Sequence, residues 1–179
     1  FVAIYSGDTL ISRGYWGQTA LQRAFSLYTV KYMLRHPFTP VYWYLITKGY
    51  KTYLLLTRNY AEHWPRWEKT TPSFQQGIVN MLSEEKFGTA WKRDLGVLQF
   101  EKKQGRLKSR VAPIDDDLLR YYKDIHFFST RNPGHRRGDE LCCLGRVNLA
   151  HIWCFTMRTL RKRLGLRPKS TVWRKTANT

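Results

Sequence analysis

Val41-Tyr42-Trp43-Tyr44-Leu45-Ile46 decides how the rest of this chain is read. The run is β-branched and aromatic and apolar on both faces, as in a strand buried from two sides. Pro40 precedes it, and Lys48-Gly49 turns the chain after it. It is the longest apolar run in the sequence and falls far short of the roughly 18 residues that cross a bilayer. The elements around it set the class.

Upstream, Val2 to Tyr5 and Thr9 to Ser12 read as short strands on either side of a Gly7-Asp8 turn. Arg13 to Gly17 is a loop. Apolar residues at Ala20, Ala24, Leu27, Tyr28 and Leu34 predict a helix over 19–34, ended by Pro37 and Pro40. Downstream, Tyr50 to Asn59 reads as a helix, with a strand over Tyr53 to Leu56 as the alternative. Strand, loop, helix, strand and helix in that order predict an α/β fold, a mixed sheet flanked by helices with a right-handed crossover.

Further along, Tyr60 to Thr71 is an aromatic, basic loop. Thr71 is expected to cap a helix with Pro72 at its first position and Phe74, Ile78, Met81 and Leu82 as its apolar stripe, closed by Phe87-Gly88. Leu95 to Phe100 is a strand candidate, and Glu101 to Arg110 a charged excursion. Asp115 or Asp116 caps a helix carrying Leu118, Leu119, Tyr122 and Ile125. Leu141 to Leu144 reads as a short buried strand, and Asn148 as the cap of a last helix stopped by Gly165. The expected division is 1–60 as one α/β half, 61–165 as an extension packed on it with a mostly helical C-terminal part, and 166–179 as a basic tail.

A chain of 179 residues holds one domain of ordinary size, and 15% aromatic content excludes a disordered one. It opens on Phe1-Val2-Ala3, without Met and already as a strand, so a longer N-terminal part is expected upstream. Cys142, Cys143 and Cys154 are odd in number and lack C-x-x-C spacing. They predict buried free thiols in a reducing, cytoplasmic compartment, with no zinc site. Lys and Arg outnumber Asp and Glu by 31 to 13, a net +18 that attracts phosphates, anionic lipid or acidic proteins. The charge is uneven: no acid follows Glu140, whereas eight basic residues lie between Arg158 and Lys175.

Three stretches carry candidate chemistry. Tyr15-Trp16-Gly17-Gln18-Thr19-Ala20 lies between a strand and a long helix, where free backbone N–H groups and the helix dipole favour a pyrophosphate, with Arg13 and Arg23 adding charge. Asn132 to Glu140 is a polar loop with two glycines. In it His135 is a candidate base, and Asp139 and Glu140 are candidates to orient it or to grip an acceptor amine. Asn59 to Lys69 combines Trp64, Trp67, Arg58, Arg66 and His63, a set that suits base stacking, a lipid interface, a lid or a plain cover over the core. No His, Asp or Glu spacing matches a standard metal site.

Over Ile4 to Tyr60 the order of elements resembles the cofactor-binding half of GNAT-type acyltransferases, whose pyrophosphate loop is commonly written Gln/Arg-x-x-Gly-x-Gly/Ala. Gly17 aligns with the first loop glycine, and the likeness continues through the buried strand and Lys48-Gly49-Tyr50-Lys51-Thr52-Tyr53. Gly14 stands where Gln or Arg is usual, with Arg13 one place off, and Thr19 stands where Gly or Ala is usual. The acceptor-binding strands that come first in that family are not in this chain. The resemblance implies an acyl-CoA or acyl-carrier-protein thioester as co-substrate, bound by Arg13, Tyr15, Trp16, Gly17, Gln18, Thr19 and Ala20. It also implies Tyr50 or Tyr53 as the phenol that protonates the leaving thiolate. An acidic acyl carrier protein would suit the +18 charge. Two other readings stand beside this one: a nucleic-acid-binding module, which lacks any helix-turn-helix, zinc-finger or RNA-recognition signature, and a protein peripheral to the inner membrane face through its basic C-terminal stretch.

Overall fold

The computed structural model describes residues 1–7, 20–100 and 113–148, with positions 157, 160 and 164. The predicted strand over 9–12, the charged excursion over 101–110, the C-terminal helix and the basic tail lie outside the described residues, apart from those three positions.

The run that opened the sequence reading is strand β2, Val41–Thr47, and every residue in it is buried. Its neighbour on one side is β1, Val2–Ser6, parallel to it with Val2 opposite Val41 and Ser6 opposite Leu45. Helix α1, Ala20–Arg35, connects the two, so the expected strand–helix–strand unit with parallel strands is present. On the other side lies β6, Glu140–Val147, antiparallel from Thr47 opposite Leu141 to Val41 opposite Val147. The boundary drawn at residue 60 therefore runs through one sheet, because a strand from the second segment lies against β2 along its whole length.

The far edge of β6 is shared. Its N-terminal end pairs with β5, Val97–Leu98, which pairs in turn with β4, Trp91–Lys92. Its C-terminal end pairs with β3, His63–Trp64. The result is a mixed α/β sheet, β1-β2-β6-β5-β4, with β3 beside β5 on the same edge of β6. Strand β3 lies in the stretch read from sequence as a loop, and β4 in one given no assignment; two-residue pieces carry no periodicity to detect.

Alternation along β2 and β6 sends side chains to two cores. Val41, Trp43, Leu45, Leu141, Cys143 and Val147 meet α2 (Tyr50–Asn59) and α5 (Lys123–Arg131), with Phe25, Tyr32 and Met33 of α1 and Leu118 and Leu119 of α4 (Asp116–Tyr121) packed on the same side. Tyr42, Tyr44, Ile46, Cys142 and Leu144 meet α3 (Ser73–Phe87). The helix ends follow expectation in part. Pro72, not Thr71, is the residue before α3. Asp115 caps α4 as expected, its carboxylate accepting from the Leu118 N–H at 2.8 Å. The helix expected through Ile125 breaks at Tyr122, whose extended backbone separates α4 from α5.

Helix α1 is present, but its phase differs from the one expected. Ser26 and Thr29 are the buried positions, with the Thr29 hydroxyl donating to the Phe25 carbonyl at 2.7 Å. Leu27, Tyr28 and Leu34 point outward. Apolar residues lie all round this helix, so hydrophobicity alone could not choose the stripe.

Candidate functional site

Of the expected pyrophosphate site, only Ala20 is among the described residues. Arg13, Tyr15, Trp16, Gly17, Gln18 and Thr19 lie outside the described residues, and Ala20 opens α1. Strand β1 ends at Ser6 and α1 begins at Ala20. The C-terminal ends of β1, β2 and β5 and the N-terminal end of β6 lie at one end of the sheet.

Tyr50 and Tyr53 both sit at 0% exposure in the core between the sheet and α5. They differ in what their hydroxyls do. The Tyr53 hydroxyl donates to the Pro65 carbonyl at 2.9 Å and its ring lies against Phe127 and Phe128, which ties α2 to the aromatic loop and to α5. The Tyr50 hydroxyl is buried with no hydrogen-bond partner among the described residues. Burial, and then the nearby Asp115 carboxylate, raise its pKa, so it is a neutral donor at pH 7. A buried polar group without a partner is uncommon enough to mark a position.

The loop before β6 holds His135, Asp139 and Glu140, but not as a cluster. The His135 ring shares a hydrogen bond with the Asn132 carbonyl at 2.9 Å and packs on Phe128. Asp139 accepts from Gln99 at 2.9 Å and lies 3.7 Å from Arg137. Glu140 is buried and pairs with Lys48 at 3.1 Å, joining the start of β6 to the turn after β2. The three side chains are each turned to a different partner and together hold the loop. Gly134 leaves room for the Asp139 carboxylate, which a Cβ at that position would displace. The loop presents Arg136 and Arg137 to solvent.

The aromatic loop over 59–69 is largely a cover. Trp64 is buried and paired to Leu144, and the His63 ring bonds the Tyr60 carbonyl at 2.8 Å, its pKa lowered by burial. Trp67 is the exposed member, with the Lys123 ammonium 4.5 Å from its ring.

An open groove of about 360 Å³, lined by Ala3, Tyr5, Tyr44, Leu82, Glu85 and Lys86, runs between β1 and α3. Sequence reasoning missed it, since its walls come from three elements far apart in the chain. The Lys86 ammonium lies 4.3 Å over the Tyr5 ring. The Tyr44 hydroxyl at its floor bonds Ser83 at 2.7 Å and donates to the Cys142 sulfur at 3.5 Å. Burial pushes the Cys142 thiol up to about 11 and raises Cys143 further, so both are inert at neutral pH. No family model, curated protein or solved structure matches the chain.

Proposed function

We propose that the chain binds an acyl thioester, carried by coenzyme A or an acyl carrier protein, and transfers the acyl group to an amine. One observation carries this reading: β1 and β2 are parallel neighbours joined through α1. The segment containing Gly17 therefore spans from the carboxyl end of a strand to a helix N-terminus, where α/β sheets bind anionic groups. The resemblance of Ile4 to Tyr60 to the GNAT cofactor half adds the chemistry.

In this reading the amine nitrogen attacks the thioester carbonyl carbon, the C–S bond breaks, the thiolate takes one proton and the amine gives one up. Tyr50 is the better of the two phenols for the proton donor, because Tyr53 already spends its hydroxyl on Pro65. The groove beside Tyr5 opens on the opposite face of the sheet from Tyr50, so this reading does not use it. Arg136 and Arg137, in the loop that leads into the N-terminal end of β6, lie at the same end of the sheet, about 10 Å from β1 by strand spacing. An acidic carrier protein would meet that rim. The setting proposed is the cytoplasm. No helix among the described residues is long and apolar enough to cross a membrane.

The test is the melting temperature with acetyl-CoA, palmitoyl-CoA and palmitoyl-acyl carrier protein. At least one should raise it, and Gly17→Glu should abolish the rise while Tyr50→Phe leaves it in place. If none of the three donors shifts the transition, acyl transfer is the wrong reading. Steeply salt-dependent binding to RNA or DNA in its place would favour a nucleic-acid module.

A further inference from the structure

The outward stripe of α1 gathers several of the large apolar side chains that stay exposed. Leu27, Tyr28 and Leu34 are 68%, 58% and 67% exposed, and Phe38, just past the helix, is 98% exposed. At about 100° per residue, Leu27, Lys31 and Leu34 share one face of the helix, flanked by Arg23 on one side and by Arg35 and Tyr28 on the other. No Asp or Glu occurs from Ala20 to Phe38. None of Arg23, Lys31 and Arg35 is in an ion pair among the described residues.

We propose that this face of α1 rests on an anionic lipid surface, with Leu27, Leu34 and Phe38 entering the headgroup boundary. Apolar side chains of this size, grouped and interleaved only with cations, fit a bilayer interface: the chains leave water while Lys31 and Arg35 extend their charges to lipid phosphates. The charge selects this occupant over others. A second copy of the same face would set Arg23, Lys31 and Arg35 against their own kind with no acid to offset them. A nucleic acid would use the cations and leave the leucines and Phe38 in water. The opposite stripe already holds Phe25, Tyr32 and Met33 against the sheet, so docking needs no rearrangement of the helix. The inference stands independently of acyl transfer.

The full chain should co-sediment with phosphatidylcholine vesicles containing phosphatidylglycerol and not with phosphatidylcholine alone. Two sets of surface variants separate the contributions. The triple variant Leu27→Ser, Leu34→Ser, Phe38→Ser removes the apolar contacts, and the double variant Lys31→Glu, Arg35→Glu reverses the charge. Each should weaken vesicle binding about tenfold or more, at fivefold or so per basic side chain near the surface. Melting temperatures should stay unchanged, because all five side chains are exposed. Wild-type protein that ignores phosphatidylglycerol vesicles would sink the idea. So would vesicle binding that both variants retain in full, which would move the contact to another basic stretch. A concentration-dependent dimer in sedimentation equilibrium that the triple variant dissociates, with lipid binding unaltered, would make the face a contact between copies and overturn it too.

Discussion

The two faces of the sheet are closed to different degrees. One is covered by α1, α2, α4 and α5, and its core includes Tyr50, Tyr53, Ile125 and Phe128, all at 0% exposure. The other carries only α3 among the described helices, and between that helix and β1 it leaves the open groove. Strand β2 separates them and is buried throughout, so the asymmetry belongs to the layers and not to the strand. The closed face is where packing is demanded from all sides; the open face has room to give. Truncation should expose that difference first. Phe128→Ala is expected to cost about 3–5 kcal/mol, whereas Ile78→Ala on α3 should cost nearer 2, because the helix can settle toward the groove and shrink the cavity. Urea midpoints of the two variants measure it, and equal losses would mean that the faces are equally rigid.

That asymmetry was only partly legible in the sequence. The run Val41 to Ile46 announces a strand buried on both sides because every position is apolar, and the α/β class follows from it and from the helices around it. The stretch cannot say which helix covers which side. Helix α1 shows why: Leu27 and Tyr28 look as apolar as Phe25 and Tyr32, and only contact with the sheet picks the buried stripe. The candidate sites divide in the same way. Tyr50 and Tyr53 read alike in sequence, three residues apart on one helix, yet one hydroxyl is paired and the other is not. The groove has no local signal at all, since Tyr5, Tyr44 and Lys86 are about forty residues apart at each step. His135, Asp139 and Glu140 share a polar loop, but three separate partners draw them apart.

The cysteines sharpen the comparison through pH. Cys142 faces α3 and Cys143 faces the closed core. Burial raises both thiols, Cys142 to about 11 from the ordinary 9.0 and Cys143 well above it. The unfolded chain therefore releases these protons first as pH rises, so stability is lost above pH 9. For Cys142 the loss should reach about 2–3 kcal/mol by pH 11, at 1.4 per pKa unit. Comparing urea midpoints of wild type and Cys142→Ala from pH 8 to 11 isolates that share, and parallel curves would contradict it.

Gly145 probes the closed face from the strand itself. A Cβ there would come within 2.7 Å of Leu56 Cδ1 and 2.9 Å of the Tyr60 ring, both held by the same core. Gly145→Ala should cost about 2 kcal/mol by overpacking. A neutral result would show that α2 can move away from β6, and with it that the closed face has slack.

The smallest effect belongs to the open face. Ser83 is fully buried on α3, and its hydroxyl shares one hydrogen bond with Tyr44 at 2.7 Å. Removing it with Ser83→Ala should cost about 1 kcal/mol, the ordinary net value of such a bond, because the Tyr44 hydroxyl keeps the Cys142 sulfur at 3.5 Å as an acceptor. Tyr44→Phe should cost about as much, since it leaves the Ser83 hydroxyl to find a partner on its own helix. If the bond is all that joins the pair, the double variant should cost little more than either single one, because the second change removes a bond already broken. Full additivity would mean that α3 is anchored by packing alone, and that the hydrogen bond does not set the depth of the groove above it.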